Sequence, residues 1–173
     1  MYHAGKFQWA WRCGESDSRR AGRSGNLGAV ATYLDRILEH HRNRAAADGR
    51  STDRLIEEAS DLEPTRGFAA ALRDGVTLAV ISEVKRRSPS KGDLAPDLDP
   101  AALASTYATA GASALSVLTD VDHFGGSPED LVAARGAVEL PVLRKDFTVC
   151  ANDVVDARIM GADAWFAPQQ HRS

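Results

Sequence analysis

An acidic and a basic side chain stand close together at the end of a run typical of a β-strand. In A-V-I-S-E-V-K, residues 79–85, alternate side chains share one face, so Glu83 and Lys85 lie on the same side as Ile81. Such a pair can move protons or bind a charged ligand at the rim of a sheet. The basic loop that follows, R-R-S-P-S-K-G at 86–92, favours an anion there. A purely structural ion pair is the alternative.

A second lysine, Lys145, ends the apolar run L-P-V-L-R-K. A lysine at the end of a packed strand is costly unless it meets a carboxylate or an anionic ligand. If Lys145 and Lys85 face one site, each disfavours the charge of the other, and burial acts in the same direction. Both effects lower a lysine pKa toward the range useful for proton transfer. A lysine that extends its ammonium group to solvent is the alternative.

Between these two runs, Thr119 and Asp120 precede a loop with His123, Phe124 and the pair at 125–126, G-G. The glycine pair could form a cradle for a phosphate group. A mobile loop with Phe124 as an apolar wall fits the same residues equally well.

The elements that must position these side chains form a repeating pattern. Three helices are predicted first: one capped by Thr32, with Asp35 as its third residue, that continues to about Ala47, and two at about 55–60 and 65–73. Strands then alternate with helices. The strands are predicted at 78–85, 114–119 and 140–146 with a fourth from 162. The helices are predicted at 100–111, 128–136 and 152–161, with Asp99, Ser127 and Asn152 as their caps. Strand and helix in this alternation indicate right-handed βαβ units and a parallel sheet.

Composition excludes several classes of protein. The chain has 173 residues, 21 basic and 24 acidic side chains and a net charge of -3, which argues against a nucleic-acid binder. No apolar run approaches the roughly 18 residues that a membrane span needs. Its two cysteines, Cys13 and Cys150, form no zinc-ligand or disulfide pattern, so we expect no metal site and a cytoplasmic location. Residues 1–28, rich in Gly, Ser and Arg, are predicted to be disordered.

The run I-S-E-V-K-R-R-S-P-S-K-G-D-L, residues 81–94, resembles the signature segment of the indole-3-glycerol-phosphate synthase family. Further stretches agree in order at 31–34, 114–120, 124–127, 140–147 and 157–164, so the resemblance covers about residues 30–164. It implies a (β/α)8 TIM barrel preceded by extra N-terminal helices. It also implies a lyase of tryptophan biosynthesis without a cofactor, which closes the indole ring of 1-(2-carboxyphenylamino)-1-deoxyribulose 5-phosphate and releases carbon dioxide and water.

The resemblance also implies roles for individual side chains. Lys145 is similar to the general acid that assists the substrate ketone, Lys85 to the lysine that holds the substrate carboxylate, and Glu83 to the carboxylate of the catalytic network. Ser88 would lie beside the substrate, and Phe124 would line an aromatic pocket. The implied partner is a small phosphorylated molecule, with no nucleic acid, membrane or metal.

The chain departs from the family pattern at both ends. Residues 1–28 look like a non-family extension, with Val30 as the natural start, and 165–173, W-F-A-P-Q-Q-H-R-S, look like an aberrant polar tail after a frameshift or premature stop. We therefore expect an α/β fold, a truncated barrel: N-terminal helices, about three βα units and the start of a fourth strand. The general-base glutamate, an asparagine, a serine and the late phosphate-binding loops of the family cannot be assigned, so we expect an inactive chain.

Two alternatives stay open. The chain could be a non-catalytic fragment that binds phosphorylated ligands or docks with another half-barrel, with self-association through open sheet edges. It could also be another phosphosugar enzyme of the same barrel class, because fold does not determine function.

Overall fold

The computed structural model describes residues 32–75 and 78–167. Its elements, in chain order, are α1 (Tyr33–Ala47), α2 (Thr52–Ser60), α3 (Phe68–Arg73), β1 (Ile81–Val84), β2 (Arg87–Ser88), β3 (Gly92–Asp93), α4 (Pro100–Thr109), β4 (Ala114–Leu118), α5 (Val121–Phe124), α6 (Pro128–Ala137), β5 (Val142–Lys145), α7 (Ala151–Ile159) and β6 (Ala164–Trp165). The predictions for residues 1–28 and Val30 lie outside the described residues, as does most of the predicted tail.

Four strands form one parallel sheet in the order β1, β4, β5, β6. Helix α4 connects β1 to β4, α6 connects β4 to β5, and α7 connects β5 to β6. In register, Glu83 lies opposite Ser116, and Leu118 lies opposite Lys145. The predicted part-barrel, with three βα units and the start of a fourth strand, is confirmed.

The two faces of this sheet are packed differently. On the helix-covered face, Val84, Leu115, Val117 and Val142 are at most 2% exposed and pack against small and branched side chains of α4, α6 and α7. The other side, which we call the inner face, carries Ile81, Glu83, Ser116, Leu118, Leu143 and Lys145, as strand alternation and register require. At its β1 edge this face is open, since Ile81 is 47% exposed.

The predicted helix caps are present where a short polar side chain precedes the helix. Thr32 and Asp35 form a capping box at α1, with Asp35 N donating to Thr32 Oγ1 and Thr32 N donating to Asp35 Oδ2. Asp99 and Ser127 cap α4 and α6, each of which has proline at its first position.

Two predicted helix boundaries, at α3 and α6, are wrong because other groups determine them. Helix α3 starts at Phe68 instead of residue 65, since Gly67 precedes it in the left-handed conformation, with a φ of 69°. Helix α6 continues through Gly136 to Ala137. The carbonyl groups at its end have no partner within the helix, and the Arg66 guanidinium group donates hydrogen bonds to two of these oxygens, Arg135 O and Val138 O.

The predicted cap of α7 is also wrong. Asn152 is the second residue of this helix, and its side chain accepts from Thr52 Oγ1 and donates to Asp48 Oδ2 instead of capping α7. Cys150 is the N-cap residue, and the Asp153 carboxylate accepts hydrogen bonds from Val149 N and Cys150 N. Asn152 therefore connects α7 to the N-terminal helices, at the end of α1 and the start of α2.

The ends of the sheet also differ from expectation. Strand β1 begins at Ile81 instead of residue 78, because the register with β4 starts at the pair Ile81–Ala114 and the chain before Val80 makes no described hydrogen bond to β4. Strand β6 begins at Ala164 and includes Trp165, the first residue of the predicted polar tail. In the described residues, no helix is long and apolar enough to cross a bilayer.

Candidate active site

Glu83 and Lys85 contact each other at the C-terminal end of β1. Lys85 Nζ donates to Glu83 Oε1 at 2.5 Å, while the Lys85 and Glu83 side chains are 30% and 39% exposed. Tyr107 Oη of α4 donates to the Glu83 carbonyl oxygen at 3.2 Å and holds the strand end against that helix. The ion pair considered from the sequence is therefore formed, and its partial exposure leaves both charges accessible to a ligand.

Lys145 ends β5 on the same inner face as Glu83, with β4 between the two strands. Burial lowers the pKa of Lys145 below its ordinary value, the Glu83 carboxylate acts in the opposite direction, and the Lys85 ammonium group adds to the lowering. The lowered pKa predicted from the two lysines is confirmed in direction. The Glu83 carboxylate therefore limits the lowering of the Lys145 pKa.

A small pocket surrounds the Lys145 ammonium group. Its volume is about 40 Å³, and it is lined by Leu118, Asp120, Phe124, Lys145, Asp146, Phe147 and Phe166. Pockets that hold small molecules usually measure roughly 300 to 1,000 Å³. This pocket is therefore too small to enclose a phosphorylated sugar derivative in the present arrangement.

Phe166 closes one side of this pocket. Its ring centroid lies 3.5 Å from Lys145 Nζ, a cation–π contact, although the residue remains 39% exposed. Phe124 contributes a second aromatic wall and lies 6.4 Å from the Phe147 ring, centroid to centroid. Phe124 and Lys145 thus line the same pocket, while contact of either side chain with a substrate stays a prediction.

Ser88 lies in the short antiparallel ribbon formed by β2 and β3, after the end of β1. Its hydroxyl oxygen accepts a hydrogen bond from Lys91 N at 3.2 Å. No described contact joins Ser88 to Glu83, Lys85 or Lys145. The position of Ser88 beside a substrate therefore remains a prediction.

The basic loop is less available to an anion than its composition suggests. Arg86 makes a bidentate pair with Asp130 at 2.8 and 2.9 Å and also donates to Pro96 O. Arg87 donates to the carbonyl oxygens of Val121 and Asp122. Both guanidinium groups therefore hold the loop against α5 and α6.

The glycine pair has a backbone explanation. Gly125 ends α5 with a φ of 65°, the left-handed region that favours glycine. A Cβ atom on Gly126 would lie 2.1 Å from the carbonyl oxygen of Leu118, so no other residue fits without displacing β4. The phosphate cradle considered from these glycines is therefore not needed to explain them.

A buried polar network next to the pocket was not found from the sequence. Arg144 is 6% exposed and donates to Thr119 Oγ1, Asp146 Oδ2 and the Asp153 carbonyl oxygen. Asp120, 4% exposed, accepts from His41 Nε2 of α1 at 2.8 Å when that nitrogen carries the proton. Strand alternation could have indicated that Arg144 and Lys145 face opposite sides, but only the fold brings His41 to Asp120.

A larger cavity of about 370 Å³ lies elsewhere and contains none of the predicted site residues. It is lined by Arg44, Ala45, Ala47, Asp48, Arg50, Arg144, Cys150, Asp153 and Asp156. Arg44 pairs with Asp153 at 2.8 Å, and Arg50 pairs with Asp48 and Asp156. Because its cations are matched by carboxylates, this cavity offers little attraction for an anionic substrate.

The inner-face site contains Lys145, whose pKa is lowered, and Lys85, which pairs with the Glu83 carboxylate. Both lie at the C-terminal ends of parallel strands, where barrel enzymes place their reacting groups. Such a set can donate a proton to a carbonyl oxygen while a second cation binds a carboxylate.

Comparison with known proteins agrees with this arrangement. A family model described as indole-3-glycerol phosphate synthase matches residues 34–166. The chain is 50% identical over 137 residues to the indole-3-glycerol phosphate synthase of Chlorobium luteolum (77% of this chain, 52% of the relative). It is 55% identical over 115 residues to indole-3-glycerol phosphate synthase 2 of Streptomyces coelicolor (66% of this chain, 44% of the relative).

A relative from Bordetella pertussis, also named indole-3-glycerol phosphate synthase, is 47% identical over 132 residues, 71% of this chain and 50% of the relative. The chain thus spans about half the length of the curated relatives it matches. The family match begins within α1 and continues to Phe166, so it includes every described strand. This chain belongs to the indole-3-glycerol phosphate synthase family.

Proposed function

We propose that the inner-face site serves the ring closure that gives the family its name, a carbon–carbon lyase reaction of tryptophan biosynthesis. The substrate is 1-(2-carboxyphenylamino)-1-deoxyribulose 5-phosphate, a small phosphorylated molecule, and no cofactor takes part. The observation that carries the proposal is Lys145 with its lowered pKa, on the same face as the Glu83–Lys85 pair. We place this reaction in the cytoplasm.

Lys145 is the general acid in this proposal. As the aromatic ring carbon bonds to the ketone carbon, the carbonyl oxygen gains negative charge and takes a proton from the Lys145 ammonium group, giving a hydroxyl group. A lowered pKa makes this transfer easier, because the neutral amine is stabilised relative to the charged form. Carbon dioxide leaves from the carboxylate-bearing ring carbon, and the bonding electrons return to the aromatic ring. The new hydroxyl group then takes up a second proton and leaves as water, while the carbon next to the amine nitrogen loses a proton and the indole double bond forms.

Lys85 holds the substrate carboxylate, and Glu83 orients Lys85. Their contact at 2.5 Å keeps the ammonium group at the strand end, and its exposed fraction is the part that a second carboxylate can reach. Phe124 packs against the substrate ring, and Ser88 lies beside the substrate on the ribbon. The ring of Phe166 must move for the substrate to enter, because the pocket holds only about 40 Å³.

The 173-residue chain alone is expected to be inactive. Purified protein given the substrate should form no indole-3-glycerol phosphate above background, measured by the fluorescence of the indole product. Clear turnover that Lys145→Ala abolishes would overturn this expectation.

A chimera tests the residue roles directly. Residues 1–166 are joined to the remaining part of the Streptomyces coelicolor relative, at the position that follows residue 166 in the alignment. We expect turnover, with kcat reduced about 10²- to 10⁴-fold by Lys145→Ala. Arg54→Ala, which removes an exposed cation of α2, is the control and should change kcat less than about twofold. An active chimera that tolerates Lys145→Ala would contradict the role of Lys145.

A second function, docking with another half-barrel, is favoured by the sheet edges. Strands β1 and β6 each pair on one side only in the described part of the chain, and Ile81, Trp165 and Phe166 are 47%, 48% and 39% exposed. We propose that these edges support self-association. Size-exclusion chromatography should show dimers or larger species, and a compact monomer would argue against docking.

A further inference from the structure

Three side chains from distant parts of the chain converge beside the sheet. His41 comes from α1, Asp120 follows β4, and His123 belongs to α5; one nitrogen or oxygen atom of each lies within 4.8 Å of the others. His41 Nε2 lies 2.8 Å and His123 Nδ1 lies 3.0 Å from the same carboxylate oxygen, Asp120 Oδ2. Both imidazole rings therefore direct a nitrogen at one point.

A fourth oxygen lies close by. Asp146 Oδ1 is 3.8 Å from His41 Nε2, and the side chains of His41, Asp120 and Asp146 are only 2% to 3% exposed. These two buried carboxylates face one buried guanidinium group, that of Arg144, which binds Asp146 Oδ2. One negative charge therefore remains to be balanced, by a proton on an imidazole or by a metal ion.

Hydrogen bonds from neighbouring residues fix the orientation of the two carboxylate groups. Asp120 Oδ1 accepts from His123 N at 2.6 Å, and Asp146 Oδ2 accepts from Thr119 Oγ1 at 2.8 Å. Such outer partners orient the ligands of metal sites. Without a metal ion, His41 Nε2 carries the proton that it donates to Asp120 Oδ2, and His41 Nδ1 is buried with no described hydrogen-bond partner. A cation at Nε2 would take the place of this proton between His41 and Asp120, and the proton would move to Nδ1.

We propose that His41, His123, Asp120 and Asp146 bind one divalent transition-metal ion of the zinc class. Two imidazoles and two carboxylates are a ligand set that Zn²⁺ accepts in tetrahedral geometry, with metal–ligand distances of about 2.0 to 2.2 Å. Ligand atoms of such a site lie about 3.3 to 3.5 Å apart. The two contacts to Asp120 Oδ2 must open by about half an ångström, and the Asp146 contact must close by a similar amount.

The role of this ion is structural. It links α1, through His41, to the residues that follow β4 and β5, next to the pocket that Lys145 lines. The His41 ring lies 5.1 Å from that of Phe147, which lines the pocket together with Asp120 and Asp146. No step of the proposed lyase reaction passes through the metal, so this inference does not rest on the proposed function.

Titration of the purified, metal-free 173-residue chain with Zn²⁺ alone tests the site. We expect one equivalent bound by isothermal titration calorimetry. A hundredfold excess over the dissociation constant should raise Tm by roughly 5 °C. Co²⁺ in place of Zn²⁺ should give the visible absorption of a tetrahedral nitrogen and oxygen site.

His123→Phe is the decisive variant, because it keeps a ring of similar size and the backbone N–H that donates to the capping carboxylate of Asp120, while it removes Nδ1 as a ligand. Its affinity for Zn²⁺ should fall at least about tenfold. His40→Ala is the matched control: His40 is adjacent to His41 but pairs with Asp122 at 3.0 Å, and its side chain is 48% exposed. That variant should change the affinity less than about twofold.

Two results would overturn the proposal. One is a native chain, folded by circular dichroism, that binds no Zn²⁺. The other is a folded His123→Phe variant with unchanged affinity, which would assign the binding elsewhere. His3→Ala and His171→Ala variants, outside the described residues, should bind Zn²⁺ as the native chain does.

Discussion

Arg144 and Lys145 are neighbours in the sequence, yet their surroundings differ. Arg144 lies on the helix-covered face, 6% exposed, and donates hydrogen bonds to Thr119, Asp146 and the Asp153 backbone. Lys145 lies on the inner face, where it meets the ring of Phe166 and has no hydrogen-bonded carboxylate among the described residues. Strand alternation thus makes one cation part of the structure and leaves the next one available for chemistry.

The largest effect is expected from breaking the Arg144 network. Arg144→Met removes the guanidinium group that pairs with the buried Asp146 carboxylate, so the free energy of unfolding should fall by about 3 to 5 kcal/mol. Urea denaturation followed by circular dichroism measures the change.

Lys145→Met is the matched control on the opposite face. It should change the free energy of unfolding by less than about 1 kcal/mol, because no described ion pair is lost. If both variants lose the same stability, the two faces do not differ as described.

A smaller effect is expected from truncating apolar side chains on the two faces. Leu115→Ala, at a residue 0% exposed in the core, should cost about 2 to 5 kcal/mol through lost burial and a residual cavity. Ile81→Ala, at a residue 47% exposed, should cost less than about 1 kcal/mol. Thermal or urea unfolding checks both, and a costlier Ile81→Ala would show that the inner face is covered in solution.

The smallest effects concern the titration of Lys145, followed by NMR of its side-chain ε-methylene group. The pKa of Lys145 is expected below its ordinary value, since burial and Lys85 lower it. Glu83 raises that pKa, so Glu83→Gln should lower it further, whereas Lys85→Met should raise it. An unchanged Lys145 pKa in both variants would place Lys145 away from the pair.

The same shift predicts how stability depends on pH. With a lowered pKa in the folded state, the unfolded chain binds more protons at Lys145 between the folded pKa and the ordinary value of about 10.4. Stability should therefore rise with pH across that window, and Lys145→Met should remove the rise. A rise that persists in Lys145→Met would assign it to another group.

Local signals in the sequence predicted the elements well where a single residue determines them. Thr32, Asp99 and Ser127 each cap the predicted helix, because the groups that a cap satisfies lie within three residues of it. Prediction failed where a distant residue satisfies the helix end. Arg66 reaches the carbonyls at the end of α6, and Asn152 bonds to residues about a hundred positions earlier.

The candidate site divides in the same way. The contact of Glu83 with Lys85 follows from strand alternation, which is a local pattern. The lowering of the Lys145 pKa follows from simple electrostatics. The ion pair of Arg86 with Asp130, 44 positions later, could not be predicted from the sequence, because it depends on how the loop folds back over α6. Whether Ser88 reaches a substrate stays a prediction.

The sequence by itself determined the family, the order of helices and strands, and the inner-face position of Glu83, since each depends on neighbouring residues or on a motif. Only the tertiary structure decided which charged side chains form ion pairs within the protein, as Arg86 and Arg144 do, and which remain available to a ligand, as Lys145 does. It also decided that His41 meets Asp120 and His123, 79 and 82 positions later. Contacts at that separation arise from packing α1 against the sheet, and no local pattern encodes that distance.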